Sequence, residues 1–353
     1  MGKSSGLKLK KFTDRLINEI LCTKVGETVV ITADTYSDEN VINSTAASVY
    51  SAGAKPMVVQ IATPAGAGKA ADEYLPSEVL GAVLSNADVW IEYNKQWLTY
   101  SKPFEIAYES NRSIRYINLS DMKPDMLVRI IGNIDFPILS ELLNKISNMN
   151  KKTEECRVKT EAGTDIIFAT NPRHVVFCDA GNAAVPGVFM TPGQISIVPK
   201  FSSINGVLVF DGSLFPVCGL LKKPIKLFIE KSRIVEIYGG SQAEEFKKYL
   251  NYFNDPNMLK ITQMAYGLNP GAKLTGRFIE DQRVWGCVAW GIGNVSPYVA
   301  PPMGCEAKSY CDGISMYASV WLNDIQILNK GRFIYPEFKK YEDEIMNTKY
   351  LSY

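Results

Sequence analysis

The first 150 residues alternate between short apolar runs and stretches in which apolar residues recur at helical spacing. The apolar runs of strand length lie at residues 28–33, 55–61, 88–93 and 114–119. The helical spacing predicts helices at residues 8–23, 39–52, 76–84, 102–110 and 136–149. Because strands joined through helices pair in parallel with right-handed crossovers, this part of the chain is predicted to form an open parallel sheet covered by helices.

A polar segment at residues 148–152 ends this pattern, and the rest of the chain is rich in short strands and tight turns. Alternating apolar residues predict hairpins and further strands, at residues 157–169, 194–199, 206–212, 225–238, 283–290 and 316–322. Ser241 followed by Glu244 predicts a helix at residues 241–253 with Ser241 as its N-cap. The polar, tyrosine-rich tail 335–353 is expected on the surface.

The predicted fold class is therefore α/β, in two parts. Residues 1–150 are expected to form an N-terminal open parallel α/β domain. Residues 151–353 are expected to form a β-rich α+β domain that carries the candidate active site. A chain of 353 residues exceeds what one hydrophobic core usually supports, which agrees with two domains.

Composition excludes several classes of partner. The 38 basic and 37 acidic side chains give a net charge of +1, so no basic surface is expected to attract nucleic acid. No apolar run reaches about 18 residues, so no membrane span is expected. The seven cysteines are widely spaced and residues 1–6 lack the apolar core of a secretion signal. Together these features predict free thiols in a reducing cytoplasm.

Residues 263–312 combine glycine, tryptophan, cysteine and acidic residues at high density. They include a turn at residues 267–270, the acidic pair Glu280-Asp281 and a glycine-rich run at residues 290–294. Rigid strands often aim polar groups from such loops and strand ends into a cavity. This segment is therefore the candidate functional site.

Several short motifs follow one another in the second half of the chain. They are Thr191-Pro192-Gly193-Gln194, the segments 195–199 and 205–213, Gly239-Gly240, Tyr266-Gly267-Leu268-Asn269-Pro270, Glu280-Asp281 and Tyr310-Cys311-Asp312-Gly313. Their order and spacing resemble the thermophilic metalloaminopeptidase (aminopeptidase T) superfamily, and within it the branch that contains 2,5-dihydroxypyridine 5,6-dioxygenase. The resemblance covers roughly residues 10–335 and implies a homodimer that acts on a small molecule.

The same resemblance implies that most metal ligands of the family have been replaced. Gln194 stands where the family has the glutamate of a Pro-x-Gly-Glu motif, Gln263 aligns with a metal-binding histidine or glutamate, and Tyr310 aligns with the histidine of His-x-Asp-Gly. Asp312 alone is unchanged. A mononuclear iron site needs about two histidines and one carboxylate, and a dizinc site needs several carboxylates and histidine. The sole histidine, His174, cannot supply two imidazoles. No metal ligand and no cofactor are therefore expected.

The remaining groups suit acid–base chemistry. Asp312 would act as a general base if burial raises its pKa, and Tyr310 would donate a proton. Gln194 and Gln263 would orient a carbonyl or amide and stabilise developing negative charge. The expected function is a metal-independent enzyme that hydrolyses, ring-opens or isomerises a small heterocyclic or amide substrate. The competing structural interpretation is that Asp312 caps the turn before Gly313 and that Tyr310 packs as an aromatic ring.

Four further residues are candidates for substrate contact: Glu280, Cys311, His174 and Asn269. A Cys311–His174 nucleophile and base is less favoured, because no Cys–His signature surrounds either residue and alternation along a strand points Cys311 away from its neighbours. His174 also fits a loop residue whose ring is bonded to the backbone. Glu280 equally fits an exposed helix cap or a salt bridge to Arg277 or Arg283. Two alternative functions stay open. One is a metal-dependent dioxygenase or aminopeptidase that holds iron or zinc, and the other is a non-catalytic ligand-binding or scaffold protein.

Overall fold

The computed structural model describes residues 3–347, and its chain forms two units. The first unit comprises Met1–Ile134 and Gly181–Pro192, and the second comprises Asp135–Ala180 and Gly193–Tyr353. Each unit contains its own sheet structure and its own buried core.

The helices and strands are numbered here in chain order. The α-helices are α1 (Lys3–Arg15), α2 (Glu39–Ser51), α3 (Ser77–Ser85), α4 (Lys102–Ser110), α5 (Pro124–Leu127), α6 (Phe136–Asn150), α7 (Ser241–Tyr252), α8 (Phe278–Asp281) and α9 (Pro336–Asn347). The strands are β1 (Thr28–Asp34), β2 (Lys55–Ile61), β3 (Val89–Glu92), β4 (Arg115–Asn118), β5 (Glu155–Lys159), β6 (Asp165–Ala169), β7 (Phe177–Asp179), β8 (Gly187–Met190), β9 (Gln194–Ile197), β10 (Asn205–Phe210), β11 (Ser213–Phe215), β12 (Gly219–Leu220), β13 (Ile225–Glu230), β14 (Arg233–Tyr238), β15 (Ile261–Gly267), β16 (Val288–Val295), β17 (Cys305–Ser315), β18 (Ser319–Leu322), β19 (Ile325–Asn329) and β20 (Arg332–Phe333).

The first unit is a parallel sheet in the order β2-β1-β3-β4-β8. Its core includes Trp90 stacked on Tyr116, with ring centroids 3.9 Å apart. Leu80 and Leu84 of α3 pack against the same cluster. The predicted parallel α/β fold of the N-terminal part is therefore confirmed, because the strand–helix periodicity of the sequence reports this architecture directly.

The second unit contains two antiparallel sheets, in the orders β14-β13-β10-β6-β5-β18-β19-β20 and β12-β11-β17-β16-β15-β9-β7. Buried side chains of the two sheets meet, as when Phe168 of β6 contacts Trp290 of β16 edge to face. Phe210 of β10 lies so close to Gly313 of β17 that a Cβ on this glycine would come within 2.3 Å of the ring. The β-rich character of this part and its two predicted hairpins are confirmed.

The division between the units differs from the predicted boundary at residue 150. Helix α6 belongs to the second unit, where it packs against α9, β7 and β9. The segment 181–192 returns to the first unit and supplies β8 as its edge strand. The amphipathic pattern of α6 shows that one of its faces is buried, but it does not show which sheet covers that face.

Several local predictions need correction. Ser241 is the first residue of α7 and not its N-cap, which is Gly240, and no side chain caps this helix. The strand predicted at residues 283–290 begins at Val288, because the chain turns at Gly286, where φ is +78°. The tail is largely helix α9, whose Phe338 and Ile345 are buried. Residues 348–353 of that predicted surface tail, and residues 1 and 2, lie outside the described part.

Within residues 3–347, no helix is both long enough and apolar enough to cross a membrane. All seven cysteines are free thiols.

Candidate active site

Three neighbouring strands bring the predicted catalytic residues together. Gln263 of β15 lies opposite Gly291 of β16, and Gly291 lies opposite Asp312 of β17. Tyr310 precedes Asp312 by two residues on the same strand, so both side chains project from one face of the sheet. Pairing of these strands therefore aligns an amide, a phenol and a carboxyl group in one row.

Hydrogen bonds join these groups into a continuous chain. The Tyr310 hydroxyl lies 3.0 Å from Oε1 of Gln263 and 2.8 Å from Oδ1 of Asp312. Nε2 of Gln282 donates to the other carboxyl oxygen of Asp312 at 2.9 Å, and Nε2 of Gln194 donates to Oε1 of Gln282 at 3.4 Å. We refer to Gln194, Gln263, Gln282, Tyr310 and Asp312 as the polar cluster. All four residues predicted as catalytic belong to it.

Gly291 makes this arrangement sterically possible. A Cβ on Gly291 would lie 2.6 Å from the Tyr310 hydroxyl and 2.9 Å from Cβ of Gln263. The middle strand thus has no side chain at the point where the phenol crosses it. Glycine within a strand commonly marks such a close approach.

Burial controls the acidity of Asp312. The side chain is almost fully buried, and loss of hydration raises the pKa of Asp312 to about 7. Its bonds from Tyr310 and Gln282 and the nearby guanidinium of Arg283 act in the opposite direction, but they do not offset desolvation. The carboxyl group therefore exists in both protonation states near neutral pH.

Arg283 is the cation next to the polar cluster. It is fully buried, donates to the backbone oxygen of Ile279 at 2.8 Å and to Oε1 of Gln282 at 3.3 Å, and lies 3.6 Å from the carboxylate of Asp179. Burial lowers the pKa of Arg283 to about 10, although nearby negative groups, Asp179 first among them, raise it. The guanidinium is therefore still charged at neutral pH and favours the ionised form of Asp312.

The hydroxyl of Tyr310 has one proton and two acceptors beside it. When Asp312 is protonated, its carboxyl group can donate to the phenol oxygen while the phenol donates to Oε1 of Gln263. When Asp312 is ionised, the phenol donates to the carboxylate instead. A change of protonation at Asp312 is thus transmitted to the proton of Tyr310.

A small cavity reaches Asp312 from the side of β11. It has room for about one water molecule. Its lining includes the apolar residues Leu214, Phe215, Phe278 and Ile314 and the polar residues Ser213, Asp281 and Asp312. The Asp281 carboxylate accepts hydrogen bonds from the backbone N–H groups of Thr275 and Gly276, so it is held by its own loop.

The members of the polar cluster differ in exposure. Gln194, Gln282 and Asp312 are buried, whereas Gln263 and Tyr310 are half-buried. The phenol of Tyr310 and the amide of Gln263 are therefore the more accessible groups of the polar cluster, and Asp312 is more deeply buried.

Two of the residues predicted to contact substrate have their side chains engaged elsewhere. Glu280 is fully buried, and its carboxylate accepts from the backbone N–H of Lys273 and the hydroxyl of Thr275. Cys311 lies between Tyr310 and Asp312, but its side chain points to the opposite face of β17, as strand alternation predicts. Burial raises the pKa of the Cys311 thiol well above its usual value, which does not suit a nucleophile.

His174 and Asn269 are likewise outside the polar cluster. The ring of His174 is bonded through Nδ1 to the backbone oxygen of Val198 and through Nε2 to the side chain of Asn171, each at 3.0 Å. Asn269 accepts from the backbone N–H of Gly271 at 2.9 Å and is buried. Neither of these two bonds of the His174 ring goes to Cys311, so they do not form the Cys311–His174 pair. His174 instead matches the alternative prediction, a loop residue whose ring is bonded to the backbone.

Sequence reasoning missed Gln282 and Gly291. Gln282 directly follows the acidic pair that was singled out, but amides carry no charge signature and the turn that aims it at Asp312 is not visible in the pattern. Gly291 lies in the glycine-rich run, and a glycine inside a predicted strand is a signal that another group approaches the backbone closely.

The polar cluster does not fit an iron or zinc site. It offers one carboxylate, one phenol and three amides, whereas such sites use imidazoles with carboxylates. Both oxygens of Asp312 already accept hydrogen bonds, and His174 is bonded elsewhere. Across residues 3–347, no group of three or more His, Cys, Asp and Glu side chains is arranged to hold a metal ion.

The family model described as 2,5-dihydroxypyridine 5,6-dioxygenase matches residues 12–334. A curated 2,5-dihydroxypyridine 5,6-dioxygenase of Pseudomonas putida KT2440 is 28% identical over 197 residues. That match covers 53% of this chain and 56% of the relative, so the chain spans little more than half the length of this curated protein.

Two solved structures share the fold. The 2,5-dihydroxypyridine dioxygenase of Pseudomonas putida KT2440 superimposes with a TM-score of 0.80 at 20% identity, covering 95% of this chain and 99% of the other. Wild-type AmpT of Thermus thermophilus superimposes with a TM-score of 0.67 at 13% identity, covering 93% of this chain and 99% of the other. The resemblance seen in the sequence motifs is thereby confirmed.

Proposed function

The chain belongs to the 2,5-dihydroxypyridine 5,6-dioxygenase family, and we propose that it is an enzyme of this family that works without a metal ion. Its substrate is a small heterocyclic or amide compound, which it hydrolyses, ring-opens or isomerises at the polar cluster. A cytoplasmic homodimer is part of the same proposal.

One observation carries this proposal, the hydrogen-bonded chain from Gln263 through Tyr310 to Asp312. These groups converge at positions where the family resemblance implies metal ligands. They are chemically suited to moving protons, because a carboxyl group with a pKa of about 7 both accepts and releases a proton at neutral pH.

The hydrogen bond between Asp312 and Tyr310 supports complementary roles for the two residues. In an isomerisation, Asp312 removes a proton from one substrate atom while Tyr310 donates its proton to another. The bond between the two residues then returns the proton from Asp312 to Tyr310, which restores the starting state. In a hydrolysis, Asp312 removes a proton from water in the adjoining cavity as the water oxygen bonds to the carbonyl carbon. The carbon–nitrogen bond then breaks as Tyr310 protonates the leaving nitrogen, and Asp312 returns its proton to Tyr310.

The amides fix the substrate and the acid. The half-buried amide of Gln263 lies beside the phenol and can donate to a substrate carbonyl as negative charge develops on it. Gln282 holds Asp312, and Gln194 in turn bonds to Gln282. Gln194 was predicted to orient the substrate itself, but it bonds to Gln282 and so reaches Asp312 only through that residue.

The test is turnover by protein stripped of metal with a chelator. The substrates would be 2-pyridone, hydroxylated pyridines and five- and six-membered lactams, followed by loss of absorbance and by mass spectrometry. Turnover of one class without metal or oxygen supports the proposal, and Asp312→Asn should reduce it by at least about 100-fold. Turnover that requires added iron and oxygen would instead identify a dioxygenase. Saturable binding without any turnover would identify a ligand-binding protein.

A further inference from the structure

The parallel sheet of the first unit carries its own group of buried polar side chains at the carboxyl ends of its strands. Strand β1 ends at Asp34, β3 ends at Glu92, and Asn94 follows Glu92 by two residues. In an open parallel sheet, ligands bind outside the carboxyl ends of the strands, at the point where the strand order reverses. In the order β2-β1-β3-β4-β8 that point lies between β1 and β3. Asp34 and Glu92 therefore lie where this kind of sheet has its ligand sites.

The pairing of β1 with β3 brings these side chains next to one another. Thr32 lies opposite Glu92, and the same register places Asp34 opposite Asn94. Nε1 of Trp90 donates to Oγ1 of Thr32 at 2.8 Å, so these two side chains share one face of the sheet. Because side chains alternate between the faces of a strand, Asp34, Glu92 and Asn94 belong to that face as well.

The amide of Asn94 is buried without a hydrogen-bond partner. Asn94 is fully buried, and within residues 3–347 neither its Nδ2 nor its Oδ1 has a partner. The hydroxyl of the preceding residue, Tyr93, bonds to Thr45 of α2, so the Asn94 amide points to the opposite face, toward Glu92. A buried polar group of this kind is costly and commonly marks a site for an ion or a water molecule.

Two carboxyl groups border this amide, and both are also buried. Asp34 and Glu92 are inaccessible to solvent. The hydrogen-bond donors that the structure gives them are all neutral, namely the backbone N–H groups of Tyr36, Lys95 and Leu98 and the hydroxyls of Ser37 and Tyr116. Buried carboxylates are usually paired with a cation or coordinate a metal ion.

We propose that Asp34, Glu92 and Asn94 bind a hard divalent cation, Mg²⁺ or Ca²⁺. The two carboxyl groups and Oδ1 of Asn94 are its ligands, and a water molecule that the cation retains accepts from Nδ2. The hydroxyl of Ser120, which lies beside Glu92 and has no hydrogen-bond partner of normal geometry, is a further oxygen at this site. Oxygen ligands without imidazole or thiolate suit Mg²⁺ and Ca²⁺ rather than iron or zinc.

This cation site is separate from the polar cluster. Asp34, Glu92 and Asn94 belong to the first unit, whereas all members of the polar cluster belong to the second. The metal positions that the family resemblance implies are in the second unit as well. The cation stabilises the carboxyl end of the sheet in the first unit and takes no part in the proposed proton transfer.

The first test uses the full chain after treatment with EDTA and dialysis. Titration with MgCl₂ or CaCl₂ at constant ionic strength should show one binding site per chain by calorimetry. A saturating cation should raise the thermal unfolding midpoint by roughly 3 °C or more, because it binds only the folded state. No binding of either cation up to about 10 mM, above the weakest constants usual for protein Ca²⁺ sites, overturns the proposal. An equal shift with NaCl at the same ionic strength also overturns it.

Asn94→Leu separates a cation from a structural water. The change keeps the approximate size of the side chain and removes the amide, so it should abolish cation binding and the cation-induced shift. In EDTA the variant should unfold at a higher temperature than the wild type, because a buried polar group without a partner is gone. Cation binding that persists unchanged in Asn94→Leu overturns the proposal.

Asp88→Asn is the matched control. Asp88 lies directly before β3, at the opposite end of the same strands, and its carboxylate accepts from the backbone N–H of Thr28 at 2.7 Å. This variant should bind the cation with unchanged affinity, whereas Asp34→Asn should lose binding. Equal losses in the two variants would show a general effect on the first unit and overturn the assignment of Asp34 as a ligand.

Asn94→Asp tests the site in the opposite direction and does not depend on how well Asn94→Leu folds. A third carboxylate raises the charge of the ligand set, so the affinity for Ca²⁺ should increase by at least about tenfold. The metal-free variant should be less stable than the metal-free wild type, because three buried carboxyl groups then lie together. Unchanged or weaker binding overturns the assignment of Asn94 as a ligand.

These measurements report cation binding and unfolding, not turnover. Failure of the cation site leaves the proposed activity intact, and loss of that activity in Asp312→Asn leaves cation binding intact.

Discussion

The Tyr310 hydroxyl lies 2.8 Å from Oδ1 of Asp312, two residues further along the same strand. This bond is local, since strand geometry alone places the two side chains side by side. The third partner, Gln263, comes from β15 and reaches the phenol only because Gly291 leaves the intervening strand bare. Tyr310 and Asp312 thus belong to one strand, while their contact with the amide of Gln263 depends on the pairing of β15 and β17 with β16.

The pKa of Asp312 leads to a prediction for the pH dependence of turnover. A general base must be ionised, and burial raises the pKa of this carboxyl group to about 7. We expect kcat/KM to rise with pH and to reach half its maximum near pH 7. Asp312→Glu should keep part of this rise with a shifted midpoint, and a profile that is flat between pH 5 and 8 would contradict the role of Asp312 as the base.

The same shift predicts how stability responds to pH. The folded state binds the Asp312 proton more tightly than the unfolded chain, whose aspartate has a pKa near 3.9. The contribution of Asp312 to the free energy of unfolding is therefore largest below about pH 4, and it decreases as pH rises to about 7. Asp312→Asn removes this effect, so we expect the variant to gain roughly 2 kcal/mol relative to the wild type at pH 8 and little at pH 4.

Burial also raises the pKa of Glu92 in the first unit to about 7, so at least two carboxyl groups contribute to the pH dependence of the unfolding free energy. The difference in unfolding free energy between the wild type and Asp312→Asn isolates the contribution of Asp312. Urea unfolding at several pH values measures it, and parallel curves for the two proteins would contradict the prediction.

Gly291→Ala should damage the site through Tyr310. The new methyl group would lie 2.6 Å from the phenol oxygen, so the ring must move away from Gln263 and Asp312. We expect at least a tenfold loss of turnover and a loss of about 1–3 kcal/mol in unfolding free energy. Adding Tyr310→Ala removes the contact with the phenol but not the 2.9 Å contact with Cβ of Gln263, so it should recover only part of the stability and none of the turnover. Full activity of Gly291→Ala would show that the phenol position is not critical.

Gln282→Leu tests the support of Asp312. The bond from Gln282 lowers the pKa of Asp312, so its loss should raise that pKa further and move the midpoint of the kcat/KM profile to higher pH. Gln326→Leu, an amide in the other sheet of the same unit, serves as the control and should leave the midpoint unchanged. An equal drop in activity at every pH would indicate a structural role for Gln282 alone.

Gln263→His combined with Tyr310→His should create affinity for ferrous iron. The phenol oxygen lies within 3.0 Å of groups on both Gln263 and Asp312, so two imidazoles and the carboxylate would converge on one point. Isothermal titration and elemental analysis measure the binding. The matched control, Gln263→Asn with Tyr310→Phe, should not bind iron, and absence of binding in the histidine variant would mean that the positions do not converge closely enough.

The sequence predicts the candidate site better than it predicts the chain path. Gln194, Gln263, Tyr310 and Asp312 were identifiable because motifs of a known family mark their positions, and the structure brings them together. Gln282 was missed, since its role depends on a turn after α8 that directs a neutral side chain inward. The boundary at residue 150 was misplaced for a related reason, since an amphipathic helix does not reveal which sheet it covers.

Strand β8 has a consequence for biosynthesis. The sheet of the first unit is completed by residues that emerge from the ribosome only after about fifty residues of the second unit have been made. Until then β4 is an unpaired edge strand, and it would stay unpaired on that side in a fragment that ends at residue 134. An autonomous version of the first unit would therefore require residues 181–192 to be rejoined to it through a linker.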